Sequence, residues 1–230
     1  MYVSGINVLG RVSILQLDTK FLRIPGDIGC EKTFIEPPQH LIVEGAKAHD
    51  VVTSRPENID IIPFLEAAQS ATGDILTTSC GFLAPYQKEL QENLNIPVVV
   101  SSISQLPEMS KIYSPEQVII LTIAADKLCK KHLPRALWKY SKCICGLGNS
   151  SYFHKVIFED MMMFDEAKVA DELLTVFKNA CNENTRALLL ECTNMPPYKA
   201  HLKQFKDIKV FDILSAIEAL LPNTVNPTYL

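Results

Sequence analysis

A cysteine and the residues that follow it are written twice in this chain, half a chain apart, and the repeat demands a fold with two similar halves. Ile75, Leu76, Thr77, Thr78, Ser79 and Cys80 are followed by Pro85, Tyr86 and Leu90; Leu188, Leu189, Leu190, Glu191 and Cys192 are followed by Pro197, Tyr198 and Leu202. Pro, Tyr and Leu keep the same distances from the cysteine in both copies, and the offset of 112 residues holds without a gap on either side. Upstream, Ile61, Ile62, Leu65 and Ala68 match Leu173, Leu174, Phe177 and Ala180; downstream, Ile96 and Val98 match Ile208 and Val210. Each half then carries one cysteine at an equivalent place.

Short apolar runs rich in β-branched residues alternate with helical patterns, which predicts an α/β fold with parallel sheets covered by helices. The strands are expected at Val12 to Leu17, Leu41 to Glu44, Ile75 to Ser79, Pro97 to Ser101, Val118 to Ile123, Lys142 to Leu147, Ala187 to Glu191 and Lys209 to Phe211. A long helix is expected from Asp165 to Asn182, with Val169, Leu173, Val176, Phe177 and Ala180 on one stripe, and its counterpart just after Pro56. The segment Pro107 to Pro115 reads as the crossing between halves. The last helix, Ile213 to Leu221, is stopped by Pro222 and is expected to pack back near the start of the chain. The first α/β domain is expected to comprise residues 1–104 with 206–230 and to carry Cys80; the second, residues 105–205, to carry Cys192.

Composition narrows the function classes. The net charge of −4 comes from mixed signs, and neither Lys127 to Lys131 nor Lys199 to Lys206 interleaves aromatics as a nucleic-acid footprint would, so no nucleic-acid partner is expected. The seven cysteines are an odd number at irregular spacing, which describes no disulfide framework and implies a reducing, cytoplasmic location. The N-terminal apolar stretch is broken by Arg11 and does not read as a signal peptide, and no segment is long enough to span a bilayer. No membrane partner is therefore expected, and a homo-oligomer is allowed.

Each cysteine is expected where a strand ends and a helix begins. Unpaired backbone N–H groups and the helix dipole there would favour a thiolate and lower its pKa, and the same N–H groups could hold a carboxylate. Two such sites facing each other across a cleft suit the removal of a proton from a carbon next to a carboxylate on one face and its return on the other, one sulfur as thiolate and one as thiol. No metal or organic cofactor is called for. A lone cysteine after a strand reads more readily as core, but its retention in both copies points to chemistry.

Thr78-Ser79-Cys80 and Glu191-Cys192-Thr193-Asn194, in a duplicated α/β chain of this length, resemble the aspartate/glutamate/hydantoin racemase superfamily. The resemblance covers essentially the whole chain. It implies two flavodoxin-like domains related by a pseudo-twofold axis, a site between them, and cofactor-independent two-base catalysis by Cys80 and Cys192 on a small carboxylate substrate, such as aspartate or glutamate. Asp18-Thr19 look like the Asp-Ser near the start of glutamate racemases, and Thr122 stands where the family has a substrate-binding threonine. The departures are Gly81-Phe82 in place of the usual Asn-Thr after the first cysteine, and Asn194 where His or Glu often follows the second Cys-Thr.

Other readings stay open at single residues. Thr78 and Ser79 either present hydroxyls to a carboxylate or cap the next turn; Thr122 binds substrate or is a strand-end hydroxyl; Arg23, in a long loop at the carboxyl end of the first strand where open α/β sheets bind ligands, either pairs a second carboxylate or is a surface arginine. Gly81, Thr193 and Asn194 complete the expected substrate contacts. Cys143 and Cys145 alternate along a strand and so point to opposite faces; Cys30, Cys129 and Cys181 read as structural. Related alternatives are hydantoin racemisation, decarboxylation of a malonate, cis-trans isomerisation, or ligand binding without catalysis. A thiol redox role lacks the C-x-x-C it would need.

Overall fold

The computed structural model describes residues 11–230, and residues 1–10, most of the stretch tested above for a leader, lie outside them. Eight strands form among the described residues: β1 (Val12–Leu17), β2 (Gln39–Val43), β3 (Ile75–Thr78), β4 (Val98–Val99), β5 (Val118–Thr122), β6 (Ile144–Gly146), β7 (Ala187–Leu190) and β8 (Lys209–Phe211). They make two four-stranded parallel sheets of identical topology, β2-β1-β3-β4 and β6-β5-β7-β8. The repeat in the sequence reappears as register: Leu76 lies opposite Val98 in the first sheet and Leu188 opposite Val210 in the second. The central strands are buried on both faces, which is why they read as continuous apolar runs.

Eight helices flank the sheets: α1 (Ala48–Val51), α2 (Ile62–Ala68), α3 (Gln87–Glu92), α4 (Leu106–Ile112), α5 (Tyr152–Phe158), α6 (Glu166–Ala180), α7 (Lys199–Phe205) and α8 (Ile213–Leu220). The Asp165 side chain caps α6 by accepting from the Lys168 N–H at 3.1 Å, and Val169, Leu173 and Phe177 bury its apolar stripe. One expectation is corrected. The helix placed just after Pro56 begins only at Ile62, because Pro56–Asn58 closes a separate short turn and Asp60 Oδ1 takes the first free N–H, that of Ile62, at 3.1 Å. The segment from Pro107 to Pro115 lies between the strands of the two sheets and is mostly α4, since Pro107 sits in the first turn, where a missing N–H costs nothing.

Strand alternation divides the core. Leu15, Leu17 and Leu76 face one cluster, while Val12, Ile14, Ile75 and Val99 face the other side, where Ile213, Leu214 and Ile217 of α8 cover them. The last helix therefore packs on the first sheet. The tail beyond it is tied to the loop after β1: Ile35 N–H donates to Thr224 O at 3.0 Å and Asn226 N–H to Thr33 O at 2.9 Å. The larger cluster runs without a break through residues of both sheets, so the halves meet through an apolar seam. Polar contacts also cross it, such as Ser102 Oγ donating to Leu190 O at 2.8 Å. No helix among the described residues is long and apolar enough to cross a membrane.

Leu90 and Leu202, the last members of the repeated motif, are both fully buried. Truncation of either to alanine should cost about 2–5 kcal/mol in chemical denaturation, whereas Ile112→Ala, at a side chain left 70% exposed, should shift stability by no more than about 0.5 kcal/mol.

Candidate active site

Both repeat cysteines open into one cavity at the seam. Cys80 follows the end of β3 and Cys192 the end of β7. They share the cavity wall with Thr19, Arg23, Ser79, Gly81, Glu191, Thr193 and Asn194, and with the apolar side chains of Phe21, Val52, Phe82, Ile123 and Ile157. A backbone N–H faces each sulfur from two residues on, Phe82 for Cys80 and Asn194 for Cys192. The two halves thus treat their sulfurs alike.

The long loop after β1 supplies the charged part of the wall. It crosses from the first half to the second: the Lys20 and Phe21 N–H groups donate to Asp160 Oδ1 at 2.8 and 3.2 Å, and Ile28 N–H donates to Thr193 O at 3.3 Å. Gly26 adopts φ +97°, a left-handed turn open to glycine, and this swings the buried Asp27 inward. Arg23 Nη1 donates to Asp27 Oδ1 at 2.9 Å and Nη2 to Thr19 Oγ1 at 3.1 Å. Asp27 Oδ2 accepts from Asn194 Nδ2 at 2.7 Å, and Cys192 Sγ lies 3.5 Å from Asn194 Oδ1. The loop, Asp27 and Asn194 therefore form a continuous polar track that ends at one of the two sulfurs.

Several expected site residues stand elsewhere. Asp18 is not in the cavity wall: its carboxylate pairs with Lys47 at 2.9 Å, half exposed, and that contact holds its pKa below the usual carboxylate range. Thr78 is buried within the sheet, its hydroxyl donating to Val100 O at 2.8 Å and Cys80 O at 3.0 Å, so it braces the turn rather than the ligand space. Ser79 lines the cavity, but its hydroxyl already accepts the Leu17 N–H at 3.0 Å. Thr122 lies one layer back and reaches the cavity only through Glu191. Arg23 is not a surface arginine, since its side chain is only 10% exposed.

The expected lowering of the cysteine pKa values is also corrected. Burial pushes the Cys80 thiol up to about 12, helped by the charge of Glu191 and opposed by the Phe82 N–H and by Arg23. Cys192 is raised well above its ordinary value, again by burial first and the Glu191 charge second, with the Asn194 N–H opposing. The dipole argument fails because short 3-10 turns follow both cysteines, Gly81–Tyr86 and Pro196–Tyr198, and α3 and α7 begin only after them. Both sulfurs rest as thiols.

Glu191 is the residue that the motif contained without disclosing its place. It is fully buried at the end of β7; its Oε2 accepts from Thr122 Oγ1 at 2.6 Å, and burial lifts its pKa to about 7. A charged residue closing an otherwise apolar strand was the signal available in the sequence. Gly81 lies directly against it, and a Cβ at that position would overlap Glu191 Oε1 and its carbonyl oxygen. Glycine follows the first cysteine because the opposite half fills the space.

Comparison with solved structures places this architecture. Allantoin racemase from Pseudomonas fluorescens superposes with a TM-score of 0.57 at 14% identity, over 95% of this chain and 95% of the other. Glutamate racemase from Francisella tularensis in complex with D-glutamate gives 0.55 at 12% identity, over 92% and 81%. Unliganded arylmalonate decarboxylase gives 0.52 at 15% identity, over 96% and 97%. The fold is the one that these two racemases and the decarboxylase share. Sequence comparison finds relatives that carry a different name. "Dimethylsulfoniopropionate lyase 5" of Emiliania huxleyi is 26% identical over 95% of this chain, and a dimethylsulfoniopropionate lyase of Durusdinium sp. clade D is 24% identical over 95%. The chain spans about half the length of the Emiliania relative, 46%, and 76% of the Durusdinium one. No protein-family model matches the chain.

Burial of Glu191 predicts a pH signature in stability. Its carboxyl ionises near 4.5 in the unfolded chain and near 7 in the fold, so the folded state loses stability as pH rises between those values and levels off above them. Glu191→Gln removes that loss, and its stability relative to wild type should climb by up to about 3 kcal/mol across this window, read by urea denaturation at fixed pH steps. Gly81→Ala should cost about 1–3 kcal/mol at any pH.

Proposed function

We propose that this chain is a cofactor-independent lyase that removes the proton next to a carboxylate and expels a neutral leaving group from the adjoining carbon, with dimethylsulfoniopropionate as the substrate type. The observation that carries the reading is the meeting of Cys80 and Cys192 in one buried, largely apolar cavity. The lyases that align over 95% of the chain favour elimination over inversion. The wall does too. The apolar side chains of Val52, Phe82, Ile123 and Ile157 suit the methyl groups of a sulfonium, and Asp18, the carboxylate expected near the substrate, is committed to Lys47 outside the cavity.

The chemistry follows from the resting thiols. A cation entering a closed, apolar space offsets the cost of ionising one buried sulfur, and the N–H group facing that sulfur stabilises the thiolate. The thiolate takes the α-proton. The freed electron pair forms the carbon–carbon double bond as the bond from the β-carbon to sulfur breaks, and that pair departs on dimethyl sulfide. Acrylate remains and the sulfur is again the resting thiol, the one proton that the reaction yields having left when that sulfur ionised. The second cysteine, still a thiol, lies on the opposite half and can donate to the developing negative charge.

A second reading, racemisation of a small acid, is favoured by one observation: each half presents its own sulfur with its own backbone N–H. Inversion needs both sulfurs equally, elimination needs one as base. Incubation with dimethylsulfoniopropionate should release dimethyl sulfide into the headspace, and alanine in place of the cysteine acting as base should slow it by about 10²–10⁴-fold. If no dimethyl sulfide forms and an amino acid or hydantoin instead exchanges its α-proton in deuterium oxide, the lyase reading gives way to the racemase. Undiminished turnover in both Cys80→Ala and Cys192→Ala would overturn either mechanism.

A further inference from the structure

Glu191 carries an unmet obligation. It is fully buried and lines the cavity, one of its oxygens accepts from Thr122, and the other, Oε1, has no partner among the described residues. A buried polar atom left unpaired calls for an explanation. The duplication supplies the context. At the offset of 112 residues, Glu191 corresponds to Ser79 and Thr193 to Gly81. Across one diagonal of the pseudo-twofold arrangement, Thr193 Oγ1 donates to Ser79 O at 2.7 Å. Across the other, Gly81 has no side chain and the Glu191 carboxyl fills the room. The polar group missing after Cys80 has thus been supplied from the facing half.

We propose that Glu191, as the neutral acid, receives the substrate carboxylate by donating a hydrogen bond from Oε1, a role that rests on the reading of the cavity as a site for a small carboxylate. Thr122 donates to Oε2, which marks that oxygen as the acceptor and leaves the proton to Oε1. An ionised Glu191 would repel a carboxylate, so only the acid form can serve. The obvious cation is already engaged: both terminal nitrogens of Arg23 are taken by Asp27 and Thr19. The other groups that bear on the site are the thiols of Cys80 and Cys192, with Asp27 neutralised by Arg23 and by the Gly29 N–H at 2.7 Å. Burial keeps Glu191 protonated up to about pH 7. In that state it also ceases to oppose ionisation of either cysteine, and its hydrogen bond strengthens as negative charge builds on the carboxylate oxygens during proton removal.

The test is proton linkage in the binding of propionate, followed by isothermal titration calorimetry in two buffers of different ionisation enthalpy. Wild-type protein should take up close to one proton per propionate at pH 8 and almost none at pH 6, with affinity falling about tenfold per pH unit above 7. Glu191→Gln, whose amide still donates, should bind with no proton uptake and a flat pH profile. Wild-type binding at pH 8 without proton uptake, or uptake that persists in Glu191→Gln, would overturn the proposal; the wild-type measurement stands even if the variant fails to fold. Propionate binding linked to Glu191 in a protein that releases no dimethyl sulfide would sink the lyase reading and leave this one. Absence of binding at both pH values would sink the carboxylate site itself.

Discussion

Burial is the largest influence on the charge of the two sulfurs and of Glu191, the groups that meet in the cavity. The seam between the halves is apolar and continuous, so Cys80, Cys192 and Glu191 are drawn into a medium that penalises their charged forms. The sulfurs rest as thiols, and the carboxyl titrates near neutrality instead of in the acid range. The one strong ion pair at the wall, Arg23 with Asp27, is tolerated because its remaining lone pairs are met by Gly29 and Asn194. A site built this way is quiet when empty. On the proposed function, its reactivity depends on what charge the ligand brings in, which links the choice of substrate to the generation of the base.

Duplication explains the scaffold, and departures from it explain the site. Strand order, register and the placing of the cysteines obey the repeat. The groups around the sulfurs do not. Thr193 and Asn194 reach Ser79 and Asp27 from the second half, while Gly81 and Phe82, their counterparts, yield space to Glu191 and add an aromatic wall. The loop after β1 breaks the symmetry further, because it belongs to the first half and is anchored on the second at Asp160 and Thr193. A near-symmetric pair of thiols thus sits inside an asymmetric shell.

Much of this was readable from residue order. The strand cores were legible because a parallel strand buried on both faces must be apolar throughout, and α6 because its stripe recurs at helical spacing. The shared place of the cysteines followed from the gapless repeat. Asp18 lies outside the cavity wall, and of the two roles open to Thr78 and Thr122 the structure shows the local one, since which side of a strand end faces a cavity depends on turns only one or two residues long. The cysteine pKa values were misjudged for a related reason: a helix that starts a few residues late leaves its dipole out of reach, and burial then dominates.

By itself, the sequence determined two α/β halves, their matched cysteines and the position of Glu191 in the second motif, because periodicity and spacing are properties of the linear chain. Only the tertiary structure decided that Gly81 and Glu191 are complementary, that Arg23 turns inward to Asp27 and Thr19, and that the sulfurs rest as thiols. Those outcomes depend on which groups from distant segments share a buried space, and the free energy of a charge or a side chain in that space is set by its neighbours there, not by its neighbours in sequence.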